Sequence, residues 1–386
     1  MTLRIIAQNQ AVGVDARESD LGVSYDVRSI RPSDLCGLIA DRWQAIRVSN
    51  PRYSSPYFDL EFTKAVARIR DDVEIAVVRQ LNDSGERIVG FLPFQRTRPR
   101  HGEPIGGRLN DVHGILSNGI DNELIMKKIL KSVGLSSFSF HAALPPPSTE
   151  VQPFEYRRIE SHYIDLSDGW DAYRNWIRKH SSTVKRHGQK SRKLEREIGP
   201  IRLEFDCQSV SVMEELIELK RQKYQRTRTF DILSVDWARN LLHEIAETDV
   251  PNFRGILSVL WAGDELVGGH FGILTDHQIH YWFPTFDAKF SKYSPGTELI
   301  LRICEYADTA GIKKIDFGYG DDPYKFKFCN KRETLTCGRF GNSVIRNQIA
   351  RQRYFFRNQL KSIPMKPLAK RILRACFPGF GGWNFK

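Results

Sequence analysis

Hydrophobic and polar positions follow the same order in the two halves of this chain. Each half contains two β-branched runs separated by a polar turn, and the second run carries a Val-Gly step. These runs predict two hairpins, formed by residues 73–79 with 87–95 and by residues 255–261 with 265–274. About 178 residues separate Arg87 from Glu265, and the same offset relates two helical segments (122–133 and 298–310) and two later strands (136–142 and 314–320). The repeated order predicts a tandem duplication; the alternative is two unrelated α/β modules.

The end of the second half predicts a β-α-β unit. Strands at 277–283 and 314–317 flank a helix at 295–310, so we expect a parallel pair with a right-handed crossover. Ser294 can cap this helix, Pro295 suits its first turn, and Gly296 leaves backbone amides bare. Such a helix start suits a pyrophosphate, and the alternative is a well-capped structural helix. Because the chain has no Walker motif and no GxGxxG after a first strand, the ligand need not be ATP or NAD.

Length and composition predict two packed domains. The chain has 386 residues, of which 41% are hydrophobic. A stiff Leu-Pro-Pro-Pro break at residues 144–147 marks the predicted boundary. We therefore predict a mixed α/β fold that is divided into an N-terminal extension (1–24), an N-terminal domain (25–150), a C-terminal domain (151–345) and a basic tail (346–386).

Cysteine usage and hydropathy predict a cytoplasmic protein. The six cysteines form no CxxC pair and no cluster with histidine, which indicates free thiols in a reducing compartment and no metal. No apolar run reaches about 18 residues, so no transmembrane helix is expected. The first residues lack the long apolar region of a secretory signal.

The C-terminal tail is strongly basic. No acidic residue follows Glu333, and eleven Lys and Arg residues lie between Arg339 and Lys386, in a chain whose net charge is +12. This bias indicates an anionic partner, and a peripheral contact with a membrane surface is one candidate. Apolar positions 368, 372, 373 and 376 form one helical stripe beside basic residues. The alternative is a solvated helix whose stripe packs on the second domain.

A second basic segment, 178–197, ends in "KSRKLERE" and is predicted to be a single helix. Lys179, Arg186, Lys190 and Lys193 recur near helical spacing, which gives the helix one basic face. Such a face, with Arg186 near its centre, can hold a sugar nucleotide, a coenzyme A phosphate or a tRNA. A charged face that is merely solvated is the alternative.

Candidate chemistry lies just beyond the last predicted strand, in "KIDFGYGDDPYKFKF" (314–328). Loops beyond strand ends carry the chemistry of open α/β sheets, so Asp321, Tyr324 and Lys325 are candidates. If the segment is extended, Lys325 and Lys327 share one face. The alternative is a surface network in which both lysines pair with Asp321 and Asp322.

Three further residues are candidates in other segments. His270 lies between glycines on a predicted central strand, where it is a possible general base or a core histidine. Asp111 and His113, in "LNDVHG", lie on the first-half loop that corresponds to a strand end. They can hold an acceptor in an interdomain cleft, or they can simply form a turn.

Several segments resemble the CelD/BcsL-type acetyltransferases, which belong to the GNAT superfamily and are associated with cellulose and exopolysaccharide production. The similar segments are "YWFPTFDAKFSKYSPGTELILRICEYADTAGIKKIDFGYGDDPYKFKF" (281–328), "SSPYFDLEF" (54–62), "IVGFLPFQR" (88–96) and "LNDVHG" (109–114). The resemblance covers residues 25–340 approximately. It implies two GNAT-like domains side by side, as in the FemAB aminoacyltransferases.

The resemblance also implies a donor and a catalytic group. The donor would be acetyl-CoA or another acyl-CoA, with its pyrophosphate at Ser294, Pro295, Gly296 and Thr297. The usual GNAT loop, Gln/Arg-x-x-Gly-x-Gly/Ala, is replaced by "SKYSPG", which leaves the donor open. Lys325, next to Tyr324, matches the aromatic-Lys-x-x-Phe ending of FemAB-like enzymes, in which the lysine stabilises developing negative charge. Lys327 is the substitute for this role.

We therefore expect a cytoplasmic N- or O-acyltransferase that acts on a saccharide or sugar-nucleotide precursor of an extracellular polysaccharide. Acyl transfer needs a base, donors for the oxyanion and a proton for the leaving thiolate. No DNA partner is expected. One alternative is a FemAB-type transferase that uses aminoacyl-tRNA, and another is a non-catalytic accessory protein of a membrane polysaccharide synthase.

Overall fold

A single mixed β-sheet runs through both halves of the protein. The computed structural model describes residues 24–82, 85–118, 122–145 and 154–362. The strands are β1 (Ser24–Ile30), β2 (Val73–Asn82), β3 (Gly85–Arg98), β4 (His101–Pro104), β5 (Leu116–Ser117), β6 (Ser137–Ala143), β7 (Glu155–Asp165), β8 (Ile201–Glu204), β9 (Asp249–Val250), β10 (Phe253–Ala262), β11 (Glu265–Leu274), β12 (Gln278–Phe286), β13 (Lys314–Tyr319) and β14 (Lys331–Gly341). This sheet confirms the predicted mixed α/β fold.

Helices cover both faces of the sheet. They are α1 (Gly37–Val48), α2 (Leu60–Ile69), α3 (Asn122–Ser132), α4 (Trp170–His180), α5 (Ser182–Lys185), α6 (His187–Glu197), α7 (Val210–Thr227), α8 (Asp236–Glu247), α9 (Pro295–Thr309), α10 (Lys325–Phe328) and α11 (Val344–Ser362). Residues 1–23 of the predicted extension and all four positions of the apolar stripe in the tail lie outside the described residues, as does the predicted boundary at residue 150.

The order of strands repeats from the two edges of the sheet towards its centre. The order is β1-β2-β3-β4-β6-β14-β7-β13-β12-β11-β10-β8. From its edge inwards, the first half contributes β1, β2, β3, β4 and β6. The second half, from the opposite edge inwards, contributes the corresponding strands β8, β10, β11, β12 and β13. In each half two helices follow the first strand and one helix precedes the fifth. This correspondence bears out the repeated element order predicted from the sequence.

The two halves exchange strands at the centre of the sheet. Strand β7, which follows the first half, pairs with β13, whereas β14 of the second half pairs with β6. The exchanged strands also pair with each other, from Lys331 opposite Tyr163 to Gly338 opposite Glu155. Backbone hydrogen bonding is therefore continuous between the halves, and side chains of both halves meet near β7, β13 and β14.

The parallel pair β12–β13 opens shortly after it forms. Pairing is confined to Gln278–His280 opposite Lys314–Asp316, although β12 continues to Phe286. Near its end the Pro284 carbonyl accepts a hydrogen bond from Lys220 Nζ on α7, at 2.8 Å. The structure thus confirms the predicted parallel pair around α9, and it adds an opening between the two strands beyond His280.

Two local predictions are wrong. The segment 178–197 is not one helix, because α4 ends at His180. Ser181 then caps α5, since its hydroxyl accepts a hydrogen bond from the Val184 amide. Residues 324–328 are not extended either, since they include the short helix α10. Successive side chains of a helix point about 100° apart, so Lys325 is buried while Lys327 is exposed.

Candidate functional site

The start of α9 differs from the predicted cap. Ser294 adopts a left-handed conformation, with φ of 59°, and its side chain makes no capping hydrogen bond. Its hydroxyl instead accepts a hydrogen bond from Lys190 Nζ at 2.7 Å, while its carbonyl accepts from the amides of Thr297 and Glu298. Ser294 therefore holds the backbone of the helix start, and its side chain is engaged with a basic residue of α6.

Gly296 leaves both space and a donor at this helix start. In the part of the chain that the structure describes, its amide donates to no protein acceptor. A Cβ added at Gly296 would meet only the ring of Phe286, at 3.8 Å. The positive end of the helix dipole and the Lys190 ammonium both lie here. Pro295 and Thr297 are buried in the first turn. These features suit a phosphate-bearing ligand.

A buried contact between a histidine and a carboxylate fixes α6 against α9. His187 Nε2 on α6 contacts the Glu298 carboxylate, which also accepts a hydrogen bond from Arg302 Nε at 2.6 Å. Burial opposes ionisation of Glu298, but the hydrogen bonds from His187 and Arg302 outweigh it and lower the pKa of this carboxyl to about 2. The contact brings Lys190, on the exposed side of α6, to the helix start, and the same exposed surface carries Arg186 and Lys193.

Lys325 stabilises the end of β13. Its ammonium donates to the carbonyls of Tyr319, at 2.6 Å, and Gly318, at 3.3 Å. The side chain is only 4% exposed, whereas Asp322, whose carboxylate lies 3.9 Å away, is largely exposed. Asp321 is exposed and lies 3.8 Å from Arg157. The predicted network of both lysines with both acids is therefore only partly formed, and the main partners of Lys325 are backbone carbonyls.

A buried lysine on α7 was missed by the sequence analysis. Lys220 is 8% exposed, and its ammonium lies 5.4 Å from the ring centre of Tyr224 and 5.9 Å from that of Phe283. Burial, and then the positive charge of Lys223, lowers its pKa to about 7. The sequence does contain a signal for this lysine. One helical stripe holds Met213, Leu216, Ile217 and Lys220, so a lysine occupies a core position.

Tyr324 lies in the same region as Lys220. Its ring packs 5.9 Å from the ring centre of Phe317, and burial, followed by the charge of Asp322, raises the pKa of its phenol. Asp111 of the first half and Tyr224 also raise this pKa. A phenol with a raised pKa stays protonated at neutral pH, so Tyr324 can donate a proton.

His270 is a core residue. It is completely buried, and its ring stacks on Tyr281 with 4.3 Å between the ring centres. Burial lowers its pKa to about 3, so the imidazole is neutral at physiological pH. A group with this pKa is a weak base, and the surroundings favour the alternative of a core histidine.

Asp111 and His113 have different roles in the fold. Asp111 reaches the second half, where its carboxylate lies 3.2 Å from His280 Nε2 and packs on Gly318. His113 is buried, and its Nε2 accepts hydrogen bonds from the amides of His141 and Ala142, at 3.3 and 3.2 Å. Burial lowers the pKa of His113 to about 3. His113 therefore supports the first half, while Asp111 joins the two halves.

The predicted site residues thus fall into three groups. The first group lies at the start of α9 and at the beginning of the neighbouring α6. It comprises Ser294, Pro295, Gly296 and Thr297 on α9, and Arg186 at α6. Asp321, Tyr324 and Lys325 follow β13, and Asp111 approaches the same strand end through Gly318. His270 and His113 lie in the cores of the second and first halves respectively.

Comparisons with known proteins support the class of the second half. Residues 181–326 match the family model described as an acetyltransferase (GNAT) domain. This stretch contains α7, the opened strand pair and the start of α9. Residues 181–326 are therefore similar to GNAT acetyltransferase domains, the superfamily that the sequence resemblance also implies. No curated protein matches the chain.

Three solved structures resemble the chain at low identity. A tandem GNAT protein from the clavulanic acid biosynthesis pathway is 12% identical, with 83% of this chain and 99% of that chain covered and a TM-score of 0.46. FemX is 11% identical, with 72% and 89% covered and a TM-score of 0.47. The N-myristoyltransferase of Saccharomyces cerevisiae, solved with bound myristoyl-CoA and inhibitors, is 11% identical, with 86% and 82% covered and a TM-score of 0.44.

Proposed function

We propose that the protein is an acyl-CoA-dependent N- or O-acyltransferase whose donor binds in the second half. The supporting observation is the combination of the opened β12–β13 pair with a helix start that offers the Gly296 amide, free space and Lys190. The pyrophosphate of the donor would lie against the first turn of α9, where backbone amides and the helix dipole favour anions. The acyl group would lie in the opening between the strands.

The residues around the opening can serve the chemical steps. Acyl transfer develops negative charge on the carbonyl oxygen, and the buried Lys325 ammonium at the end of β13 is our candidate for stabilising it. Tyr324 would protonate the leaving thiolate, because its phenol is protonated at neutral pH, and the proton that the acceptor loses on acylation would restore the phenol. Asp111 reaches this strand end from the first half and would hold the acceptor.

We propose a saccharide or sugar-nucleotide acceptor in the synthesis of an extracellular polysaccharide such as cellulose. This choice rests on the resemblance of the segments around Tyr57, Asp111 and Tyr324 to the CelD/BcsL-type acetyltransferases. Mass spectrometry of the purified protein should detect bound acyl-CoA, and release of coenzyme A should depend on an added sugar nucleotide. If coenzyme A neither binds nor is released with any sugar nucleotide tested, this function is wrong.

An aminoacyl-tRNA donor remains the second candidate function. The exposed basic side of α6, which includes Arg186, Lys190 and Lys193, favours it because such a surface also binds a nucleic-acid backbone. Salt-sensitive tRNA binding that is lost when these three residues are replaced by glutamine would support this donor. Binding of acyl-CoA with no tRNA binding at low salt would exclude it.

Peripheral contact with an anionic membrane is a further part of the proposal. Helix α11 contains no acidic residue, and Ile345, Phe355 and Phe356 are exposed beside arginines. Within the described ranges, no helix is both long and apolar enough to cross a membrane. Contact through α11 would place the acyltransferase, or an accessory protein with the same fold, next to a membrane polysaccharide synthase.

A further inference from the structure

A polar cavity lies where the first half covers the central strands of the sheet. Its volume is about 370 Å³. Residues 51–55 of the first half form one wall, and β7, β13 and β14 form the other. The polar side chains in its lining include those of Arg52, Ser55, Lys314, Asp316, Arg332 and Glu333. This cavity shares no residue with the proposed donor site at the start of α9.

Two carboxylates occupy the wall formed by the strands. Asp316 is 6% exposed, and its oxygens accept hydrogen bonds from the Gly318 amide and from Gln278. Glu333 is partly buried, yet in the described ranges its carboxylate makes no hydrogen bond and no ion pair. Burial raises the pKa of Glu333, and the nearby Asp316 adds to this effect, while Lys314 and Arg52 oppose it. A carboxylate in this state gains from a cationic partner.

Positive charge lies around the two carboxylates. Lys314 is half-buried, and its ammonium lies 4.5 Å from the ring centre of Tyr163. Arg52 and Arg332 also line the cavity and are exposed. The wall formed by the strands therefore carries two carboxylates and one ammonium group. The two guanidinium groups are more exposed; that of Arg52 also donates to the Pro145 carbonyl, and that of Arg332 lies 3.7 Å from Glu160. This distribution matches a ligand that is cationic at its inner end and anionic at its outer end.

A buried hydroxyl in the opposite wall lacks a partner. Ser55 is 5% exposed, and its Oγ has no hydrogen-bond partner within the described part of the chain. Buried polar groups are nearly always hydrogen-bonded in folded proteins, and leaving one unpaired costs free energy. Because Ser55 lines the cavity, a ligand placed there can supply the missing partner.

We propose that this cavity binds a small molecule that carries a primary ammonium group and, at its other end, a carboxylate or phosphate. The ammonium would lie between Asp316 and Glu333, the anionic group would face Arg52 and Arg332, and Ser55 would hydrogen-bond the body of the ligand. The volume falls within the range of small-molecule sites. This inference goes beyond the proposed acyl transfer and does not depend on it.

Binding to the full chain can be measured by calorimetry with two probes. Glycylglycine carries an ammonium and a carboxylate, whereas glucosamine 6-phosphate carries an ammonium and a phosphate. We expect at least one to bind at concentrations up to about 10 mM, and the preferred probe identifies the anionic group. The N-acetylated form of that probe should bind at least about tenfold more weakly, because it lacks the ammonium. Absence of binding by both probes, or equal binding of the acetylated form, would overturn the proposal.

Variants of the two walls provide a second measurement. Glu333→Gln should weaken binding of the preferred probe at least about tenfold, because a charge-assisted hydrogen bond is lost. Glu247→Gln, an exposed glutamate at the end of α8, is the matched control and should bind like the wild type. Unchanged affinity of a folded Glu333→Gln protein would contradict the assignment.

Ser55→Ala separates binding from folding. The substitution removes a buried hydroxyl without a partner, so the melting temperature without probe should stay the same or rise. The affinity for the probe should nevertheless fall, by about threefold or more. A lower melting temperature together with unchanged affinity would show that the hydroxyl serves the fold, and it would count against the site.

Discussion

Lys325 has a structural role at the end of β13 and a proposed catalytic role. Its ammonium holds the carbonyls of Gly318 and Tyr319, so its removal should destabilise the end of β13. If it also stabilises charge in the transition state, Lys325→Ala should lower kcat by roughly 100-fold or more with little change in the donor KM. Steady-state kinetics of the folded variant measures kcat and KM separately, and so distinguishes the catalytic role from the structural one.

Two neighbours serve as controls for Lys325. Lys327→Ala should leave kcat near the wild-type value, because Lys327 is exposed. Asp321→Asn removes a largely exposed acid and should also have little effect. If Asp321→Asn loses as much activity as Lys325→Ala, and both variants melt at lower temperature, the residues act as a structural network and the catalytic role is wrong.

Glu298 gives a prediction about stability and pH. Its pKa is about 2 in the folded protein and near the ordinary value of 4.5 in the unfolded chain. The stabilisation is therefore complete above about pH 4.5 and is lost as the pH falls towards 2, and its size is on the order of 3 kcal/mol. Urea unfolding should show Glu298→Gln to be less stable than the wild type at pH 7, with a smaller difference below pH 4.

The control for Glu298 lies on the same helix. Glu305 is exposed on α9, so Glu305→Gln should change the free energy of unfolding only slightly at either pH. A difference between wild type and Glu298→Gln that stays constant from pH 7 to pH 3 would show that the ionised Glu298 carboxylate, with its hydrogen bonds from His187 and Arg302, is not its source.

Individual site residues were predicted to different extents from the sequence. Lys325 and Tyr324 were found because they follow a recognisable strand and belong to a specific segment. Lys220 was missed because a lysine at a core position is visible only when the burial of α7 is considered. The contact of Asp111 with His280 could not be predicted, because sequence patterns do not show which loop of one half meets which strand of the other.

Among the elements, the start of α9 offers the sharpest test of the donor site. Gly296→Glu would place a carboxylate where the pyrophosphate is proposed to bind. The protein should still fold, because the positive end of the helix dipole favours a negative charge at this position. Calorimetry should then show an affinity for coenzyme A at least tenfold lower, about 1.4 kcal/mol. Gly296→Ala is the matched control, because its Cβ would meet only Phe286. A folded Gly296→Glu protein with wild-type affinity would remove the donor from this helix.

The predictable elements were those with strong local patterns. Strand β11 was predicted with its observed ends, and the hairpin partners and α9 were found within a few residues. The break after α4 was missed because the charge pattern continues through Ser181, whose capping role depends on one hydrogen bond. Local hydrophobic periodicity also did not reveal α10, which has only four residues.

At the scale of the whole molecule, the duplication was predictable but the strand exchange was not. The offset between Arg87 and Glu265 revealed that an order of elements occurs twice. The pairing of β7 with β13 and of β14 with β6 depends on which edges meet in the folded sheet, and strand patterns do not specify a partner. The exchange would matter for the proposed function, because it brings the first half next to β13, where the proposed acceptor site and the polar cavity lie.

Helix α11 gives a prediction about where the whole molecule is located. Its inner side packs through Tyr354 on Tyr156, with 5.5 Å between the ring centres. The outer side exposes Ile345 and Phe356, and no acidic residue is present in the helix. Apolar and basic groups together suit an anionic membrane surface, where each nearby Lys or Arg contributes about 1 kcal/mol.

Co-sedimentation with vesicles tests this location. The full chain should bind anionic vesicles and not neutral ones, and the binding should weaken with salt and disappear when residues 346–386 are deleted. Arg353→Glu, on the exposed side of α11, should weaken binding several-fold, because an attraction is replaced by a repulsion. Lys127→Glu changes an exposed charge on α3 and should bind like the wild type. If the full chain ignores anionic vesicles at low salt, α11 has a structural role and the membrane contact is wrong.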